Sequence, residues 1–484
     1  MNKYNAGLTF IILFLFSCGH SFQDDALEAA SDGKITKAEM AELVTSIQGE
    51  NDPAQQQLFY TNGKIDTAKV ADYLVGLFKT QELKVHRTDI WPAPTTAKSN
   101  LAPFNFNIFL ENSGSMDGYV AGSTRFKDAV YSLLGNISNT FNGKLNLNYI
   151  NSKITFSQPN ADANGIREFI QNLTPATFKA KGGVRESSDI RDLLHQVIDK
   201  TDNGNVSILI SDFVFSPGKK VNAHNYLVNQ SIGIKIELAE KLKTYSLAIE
   251  VIQMNSQFNG KYFDLNNTPI PINGDRPYYV WFIGNQAQLV AIRNSGIIDN
   301  IKTGVEHNLI FCAQPAPLNE PFKILYSGKN GDFQLAGGTT GDISEPVPAD
   351  GTSGDFAFEV ATNNSGDIRG LDFYDDMNNY THDGNYQIAV SRIGDTSDVI
   401  TKGYTHRIHF STKSLRKQNL TVLTRMTMPG WVLACTSDDD RQIKGDSAQM
   451  KKTFGLQFLL QGVYDAFYVA PHNNIVSQLK INIK

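Results

Sequence analysis

Phe104-Asn105-Phe106-Asn107-Ile108-Phe109-Leu110-Glu111-Asn112-Ser113-Gly114-Ser115-Met116 decides how the middle of the chain is read. Phe104, Phe106, Ile108 and Leu110 fall on one face of a strand, because side chains in a strand alternate sides. The strand runs into a short polar loop carrying one carboxylate, Glu111, and two hydroxyls, Ser113 and Ser115. Open α/β sheets present ligand sites at the carboxyl ends of their strands, so this loop is a candidate site.

Working outward, the pattern alternates strand and helix from 104 to 296. Helical periodicity covers 125–141, 166–173, 189–198, 226–242 and 286–293. Strand-like runs cover 145–156, 206–215, 245–252 and 278–283. In the helix over 189–198, Ile190, Leu193, Leu194 and Val197 share one side. Such alternation implies crossover connections and a mostly parallel sheet covered on both faces. The aromatic run Tyr278-Tyr279-Val280-Trp281-Phe282 reads as core.

Strand, Ser113-x-Ser115, the Gly182-Gly183 loop, a helix, and the strand Ile208-Leu209-Ile210-Ser211-Asp212 follow one another in order. This series resembles a von Willebrand factor type A domain, a Rossmann-like α/β fold. The resemblance implies a metal-ion-dependent adhesion site, with Glu111 standing where the family has Asp. It also implies that Glu111, Ser113, Ser115, Ser188 and Asp212 surround one divalent ion. Ser188 enters because Val184 occupies the position of the family's Thr and has no donor oxygen. Magnesium demands near-ideal octahedral geometry, whereas calcium or manganese tolerates the longer Glu better. The alternative is that Ser113 and Ser115 simply cap the following turn.

Past 297 the chain changes character. Short β-branched and aromatic runs, such as 356–360, 386–390, 407–410 and 419–424, are separated by Gly, Asn and Asp. They read as antiparallel strands of a β-sandwich. The stretch 453–468 reads as a closing helix or a final strand. His406 and His409 stand three apart on a strand, so their rings diverge and read as surface histidines. Asp438-Asp439-Asp440 reads as a solvated turn, the alternative being that it assists a calcium site, and Asp372, Asp375 and Asp376 carry the same two readings.

The amino-terminal part divides in two. Residues 6–16 are apolar but fall short of the ~20 residues that a spanning helix needs, and they end in Leu15-Phe16-Ser17-Cys18. This resembles a bacterial lipobox, which implies acylation at Cys18; the alternative is an ordinary secretory signal that holds a Cys. Residues 31–38 are echoed at 61–68, each copy a Gly turn (Gly33, Gly63) leading into an amphipathic helix. The pair resembles an EF-hand pair, which implies a short bridge between Ile35 and Ile65. The second loop offers Leu58, Tyr60, Asn62 and Lys69 at the ligand positions, too few oxygens for calcium. A helical module that has lost its metal is expected.

Of 484 residues, 41% are apolar and the net charge is −5, so sizeable cores are expected and a basic nucleic-acid stripe is not. With Cys18 acylated, the remaining two of the three Cys, Cys312 and Cys435, form one disulfide or stay as buried thiols. The expected organisation is multidomain. It comprises a signal peptide (1–17), an EF-hand-like module (18–82), a linker (83–103), a von Willebrand A-like domain (104–296) and a β-rich domain (297–484). The expected role is that of a lipid-anchored envelope protein, on the outer membrane, which binds a carboxylate-bearing protein or glycan through a divalent cation. It is not expected to be an enzyme or to bind nucleic acid. The alternatives are an enzyme that acts on an envelope polymer through the β domain, and a metal-free structural subunit.

Overall fold

The computed structural model describes residues 22–50, 58–61, 64–65, 67–81, 83, 85, 90, 103–186, 189–301, 303–313, 318–319, 322–335, 342–394, 401, 403–471 and 473–484. Cys18, Asn62, Gly63, Ser187 and Ser188 therefore lie outside the described residues. The chain forms two compact units, Met1–Lys98 and Ser99–Lys484. Their break falls in the Pro-rich stretch read as a linker. The whole is mixed α/β and multidomain in character.

In the first unit, α1 (Phe22–Ala29), α2 (Lys37–Glu50) and α3 (Thr67–Thr80) close on a core of Phe22, Met40, Leu43, Ile47, Val70, Leu74 and Phe78. The i, i+3, i+4, i+7 spacing of these residues gives each helix one apolar stripe to bury. Thr36 and Glu39 form a reciprocal cap on α2. The Thr36 amide donates to the Glu39 carboxylate at 2.6 Å and the Glu39 amide donates to the Thr36 hydroxyl at 3.4 Å. The expected Ile35–Ile65 bridge does not form. Ile35 bridges Ile90 in parallel. Ile65 pairs instead with Tyr60, in a local hairpin of β1 (Tyr60–Thr61) and β2 (Lys64–Ile65).

A seven-stranded sheet organises the second unit, in the order β5-β4-β3-β6-β8-β7-β9. Its strands are β3 (Asn105–Glu111), β4 (Leu145–Ile150), β5 (Ile154–Gln158), β6 (Asn205–Ser211), β7 (Leu247–Phe263), β8 (Pro269–Asn285) and β9 (Val305–Cys312). Five helices connect β3 to β7 and a sixth follows β8. They are α4 (Arg125–Thr140), α5 (Ala163–Gln171), α6 (Pro175–Ala180), α7 (Ile190–Asp199), α8 (Ala223–Leu242) and α9 (Gln286–Asn294). Each starts on a capping side chain, from Thr124, Asp162, Thr174, Asp189, Asn222 and Asn285 respectively.

The sheet is not mostly parallel, as the alternation suggested. Parallel pairing is confined to β4, β3 and β6. β8 is antiparallel to both β6 and β7, and β9 is antiparallel to β7. The cause is the turn after Phe263, where the Asp264 carboxylate accepts from the amides of Asn266 (3.0 Å) and Thr268 (2.8 Å). That turn sends β8 straight back along β7 instead of into a crossover helix.

Composition changes at 297, but the sheet does not end there, since β9 pairs with β7 along its edge. The sandwich has its own core. One sheet joins β11 (Phe322–Asn330), β14 (Phe356–Thr362), β17 (His406–Thr412) and β16 (Gln387–Arg392). The other is led by β18 (Gln418–Arg425) and the final strand β21 (Ile475–Ile483). Phe358, Val360, Ile408 and Phe410 of the first meet Leu420, Val422, Leu479 and Ile481 of the second. Between β18 and β21 the chain returns to the α/β core. There Phe454, Leu456, Leu459, Leu460, Val463 and Phe467 bury themselves with the sheet's residues. The stretch 453–468 is thus chiefly a helix, α10 (Leu456–Tyr464), and the final strand comes after it.

Candidate functional site

Glu111 is the last residue of β3 and Ser211 the last of β6. The parallel register that pairs Leu110 with Ile210 brings the two side by side. The Ser211 hydroxyl donates to Glu111 Oε2, and Glu111 is wholly buried. One residue further, Asp212 is 2% exposed. The Ser113 and Ser115 hydroxyls lie 3.0 Å apart, and Ser115 lies near enough to the Asp212 carboxylate to lower its pKa. Four of the five residues expected at the site therefore meet at the carboxyl ends of two adjacent parallel strands.

Asp212 carries the tension of the site. Burial pushes its carboxyl above the ordinary Asp range; the nearby Arg276 guanidinium, the Ser115 hydroxyl and the Val214 amide pull it back. The Val214 amide reaches Asp212 Oδ1 at 3.3 Å. Asp212 Oδ2 is buried without a hydrogen-bond partner, an expensive state for a carboxylate oxygen. The chain leaves this point through Phe213, whose φ of +50° lies in the left-handed region that a bulky side chain avoids. The Phe213 amide donates to the Ser211 hydroxyl at 2.8 Å, and its ring stacks on Trp281 with centroids 4.7 Å apart.

The loop 182–186 closes over the Ser-containing loop. The Gly114 amide donates to the Arg185 carbonyl at 2.8 Å. Arg185 donates through Nε to the Asn112 carbonyl at 2.7 Å and through Nη2 to the Ser113 carbonyl at 3.2 Å, and it also pairs with Asp117. Asn151 ties the same loops together from beneath, donating to Asn112 Oδ1 at 3.0 Å and to the Gly182 carbonyl at 2.7 Å. Val184, in the Thr position of the resemblance, is 52% exposed.

A third wall comes from the β7–β8 hairpin. Tyr119 packs edge-on against Phe258 at 5.0 Å and donates to the Pro277 carbonyl at 2.5 Å. The Phe263 ring lies against Gly114. The hairpin is fixed in turn by the segment after β18. Asp440 accepts from the Tyr262 hydroxyl at 2.5 Å and from the Leu265 amide at 2.8 Å. The Tyr279 and Thr453 hydroxyls are 2.9 Å apart. Asp440 is 2% exposed, so it is a buried anchor and not part of a solvated turn.

Sequence reasoning missed Asn112, Asn151, Arg185, Ser211 and Arg276. For Arg276 a signal existed: one cation stands before the apolar run 277–283, where a strand buried on both faces has no solvent to offer it. His406 is not a surface residue but fully buried, its ring 3.2 Å from Asp375 and 3.1 Å from Asn364; burial pulls its pKa down, opposed by Asp375. His409 does face the other way, near Glu359 at 3.5 Å. Cys312 and Cys435 are both free thiols. Cys312 pairs with Ala248 across β7, whereas Cys435 sits near Gln253, five residues and so about 16 Å further along that strand. A disulfide needs Cα atoms within ~7 Å.

Among the described residues no helix is long and apolar enough to cross a membrane. No group of three or more His, Cys, Asp or Glu side chains is placed to hold a metal ion among them, so Glu111 and Asp212 would rely on hydroxyl oxygens. No protein-family model matches the chain, and neither a curated protein nor a solved structure does.

Proposed function

We propose that this chain is a binding protein of the von Willebrand A type. In this reading Glu111, Ser113, Ser115 and Asp212, with Ser188, take a divalent cation, and the cation takes a carboxylate of a protein or glycan partner. The observation that carries the reading is the open, buried Asp212 Oδ2 near the paired Ser113 and Ser115 hydroxyls, with the buried Glu111 carboxylate at the end of the adjacent strand. An all-oxygen donor set of carboxylates and hydroxyls suits a hard cation. Gly114, Ser115, Asp117 and Arg185 are the part of the site that reaches the surface, and Arg185 would favour an anionic partner. The protein is read as an acylated envelope lipoprotein, anchored at Cys18 on the outer membrane. The helical amino-terminal unit would be an EF-hand-like spacer without calcium; with Gly33 as the sixth residue of the first loop, Glu39 falls at the twelfth, closing ligand position, and its carboxylate is spent on the cap of α2.

Thermal unfolding of the purified chain with chelator, then with magnesium, manganese or calcium, tests the site. An ion at 100 times its dissociation constant adds about 2.7 kcal/mol. Replacing Ser113 and Ser115 together with Ala should remove that gain and leave the fold intact, since neither belongs to the apolar core. If none of the three ions stabilises the native chain, the reading fails. Cys18→Ala should move the protein from the membrane to the soluble fraction, and retention after a high-salt wash would overturn the lipid anchor.

A further inference from the structure

We propose that Arg276 is the resident counter-charge of Asp212 and that it sets how strongly the Glu111–Asp212 cluster attracts a cation. The inference rests on the adhesion-site reading and names a residue outside the donor set that governs it.

The register of the sheet makes the case. Ser211 pairs with Tyr279 across the β6–β8 ladder, so the chain leaving β6 comes level with Tyr278 and Pro277. Residues two apart on β8 share a face, and Arg276 therefore lies on the Tyr278 side, three residues past the last β6–β8 pair. Tyr119 fills the angle between them, its ring 5.7 Å from that of Tyr278 and its hydroxyl beside Arg276. Arg276 is wholly buried. Its Nη1 reaches the Met450 carbonyl at 3.2 Å and its Nη2 the Lys452 carbonyl at 3.4 Å, while the Tyr262 ring lies 4.4 Å from the guanidinium carbon. Its Nε has no partner.

None of those contacts is an anion, and a buried guanidinium needs one within reach of its field. Asp212 has the complementary need: a buried carboxylate with one oxygen open. The two groups answer each other through a dry interior, where a unit charge acts over several ångströms. With Asp212 offset by Arg276, the cluster draws a cation with less negative charge than its two carboxylates would carry together, and a divalent ion entering the site has to approach a fixed positive charge. Arg276 thus works against the ion while preserving the carboxylate in its absence.

Manganese titration of the full chain by calorimetry, native against Arg276→Gln, tests this. The variant should bind manganese at least about tenfold more tightly, an outcome that a merely structural role for Arg276 does not produce. Equal or weaker binding by a folded variant overturns the inference and leaves the adhesion reading standing. Binding by the variant and not by the native chain sustains the inference and removes the adhesion reading for the native protein. Binding by neither overturns both. If Arg276→Gln fails to fold, Asp212→Asn in chelator decides. Leaving Arg276 without its anion should lower the thermal midpoint, and Arg276→Gln added to it should recover part of the loss. An unchanged or raised midpoint in Asp212→Asn overturns the inference.

Discussion

At the end of the sheet where Glu111 and Asp212 lie, β4, β3 and β6 stop, and β7 and β8 run on. The parallel strands have six or seven residues each; β7 and β8 have 17 apiece. Pairing of β7 to β9 reaches no further than Met254, and pairing of β8 to β6 starts at Tyr279. Beyond those points the two strands pair only with each other, as a two-stranded ribbon. Burial changes at the same place. Residues 247–254 are all buried, whereas from 255 onward Ser256, Phe258 and Tyr262 are buried and Gln257, Asn259 and Lys261 are exposed. A strand covered on both faces becomes a strand covered on one. Parallel strands that stop together leave their polar loops at one level, and the antiparallel ribbon that does not stop becomes the wall beside them.

The comparison is broken most severely where wall and loop touch backbone to backbone. A Cβ added at Gly118 would sit 2.4 Å from the Phe258 ring, and one at Gly260 would sit 2.7 Å from the Gly118 Cα. Gly118→Ala should therefore push the ribbon off the 115–119 turn and cost about 3 kcal/mol, read as a lower urea midpoint at unchanged slope. Gly135, within α4 on the parallel side, has nothing within 4 Å of its added Cβ. Gly135→Ala should stabilise by about 0.5–1 kcal/mol, since Gly weakens a helix interior. Equal effects at the two sites would mean that the ribbon is not seated as described.

A smaller test sharpens the parallel side alone. Gly182 (φ +70°) and Gly183 (φ +83°) both adopt the left-handed region. An added Cβ meets nothing at Gly182, but at Gly183 it falls 1.9 Å from Asn151 Oδ1. Gly182→Ala should cost only the backbone strain, about 1 kcal/mol. Gly183→Ala should cost about 2 kcal/mol, because Asn151 must also give up its bonds to Asn112 and the Gly182 carbonyl. If the site takes manganese, only Gly183→Ala should reduce its uptake, since Asn112 lies between Glu111 and Ser113.

The same contrast explains what was legible in the sequence. Nearly continuous apolar runs such as 206–210 announce strands buried on both faces, and the polar loops after them announce the strand ends, so the places of Glu111, Ser113, Ser115 and Asp212 at strand ends could be read directly, while their grouping at one site came from the resemblance. The ribbon was written just as plainly, in the alternation Met254, Ser256, Phe258, Tyr262 against Asn255, Gln257, Asn259, Lys261. Asn and Gly interrupt its period of two, and the motif expected after a strand in such an alternation is a crossover helix. The contacts of Asn151, Arg185 and Arg276 were out of reach for another reason, although the place of Arg276 before an apolar run marked it. Each acts through tertiary bonds to main-chain groups far along the chain, and no spacing records such bonds. Asp440 misled by composition: three consecutive Asp suggest solvent, although the third is buried under Tyr262 and only Asp439 makes a local pair, with Arg441.

The smallest expected effect concerns the anchor of the ribbon and reads as a slope with pH. Burial, assisted by Asp264, raises the Asp440 carboxyl above its ordinary range, against the pull of the Tyr262 hydroxyl and the Leu265 amide. Between the ordinary and the raised value the folded protein holds more protons than the unfolded chain, so this group's contribution to stability falls as pH rises. Asp440→Asn keeps an acceptor for the Leu265 amide and obliges only the Tyr262 hydroxyl to turn, a change of about 1 kcal/mol or less. The variant lacks the slope, so its deficit relative to the native chain should narrow as pH rises from 4 through that raised value. Asp350, in an exposed turn of the sandwich, should behave in the opposite sense. The Ser353 hydroxyl and the amides of Ser353 and Thr352 hold its carboxyl down to about 2. Its contribution is present above the ordinary Asp range and is lost as pH falls toward 2, so Asp350→Asn should show a deficit that grows with pH. Thermal midpoints of the two variants across pH 2–7 give both signs in one experiment, and parallel curves would show that the ribbon's anchor is as wet as the turn.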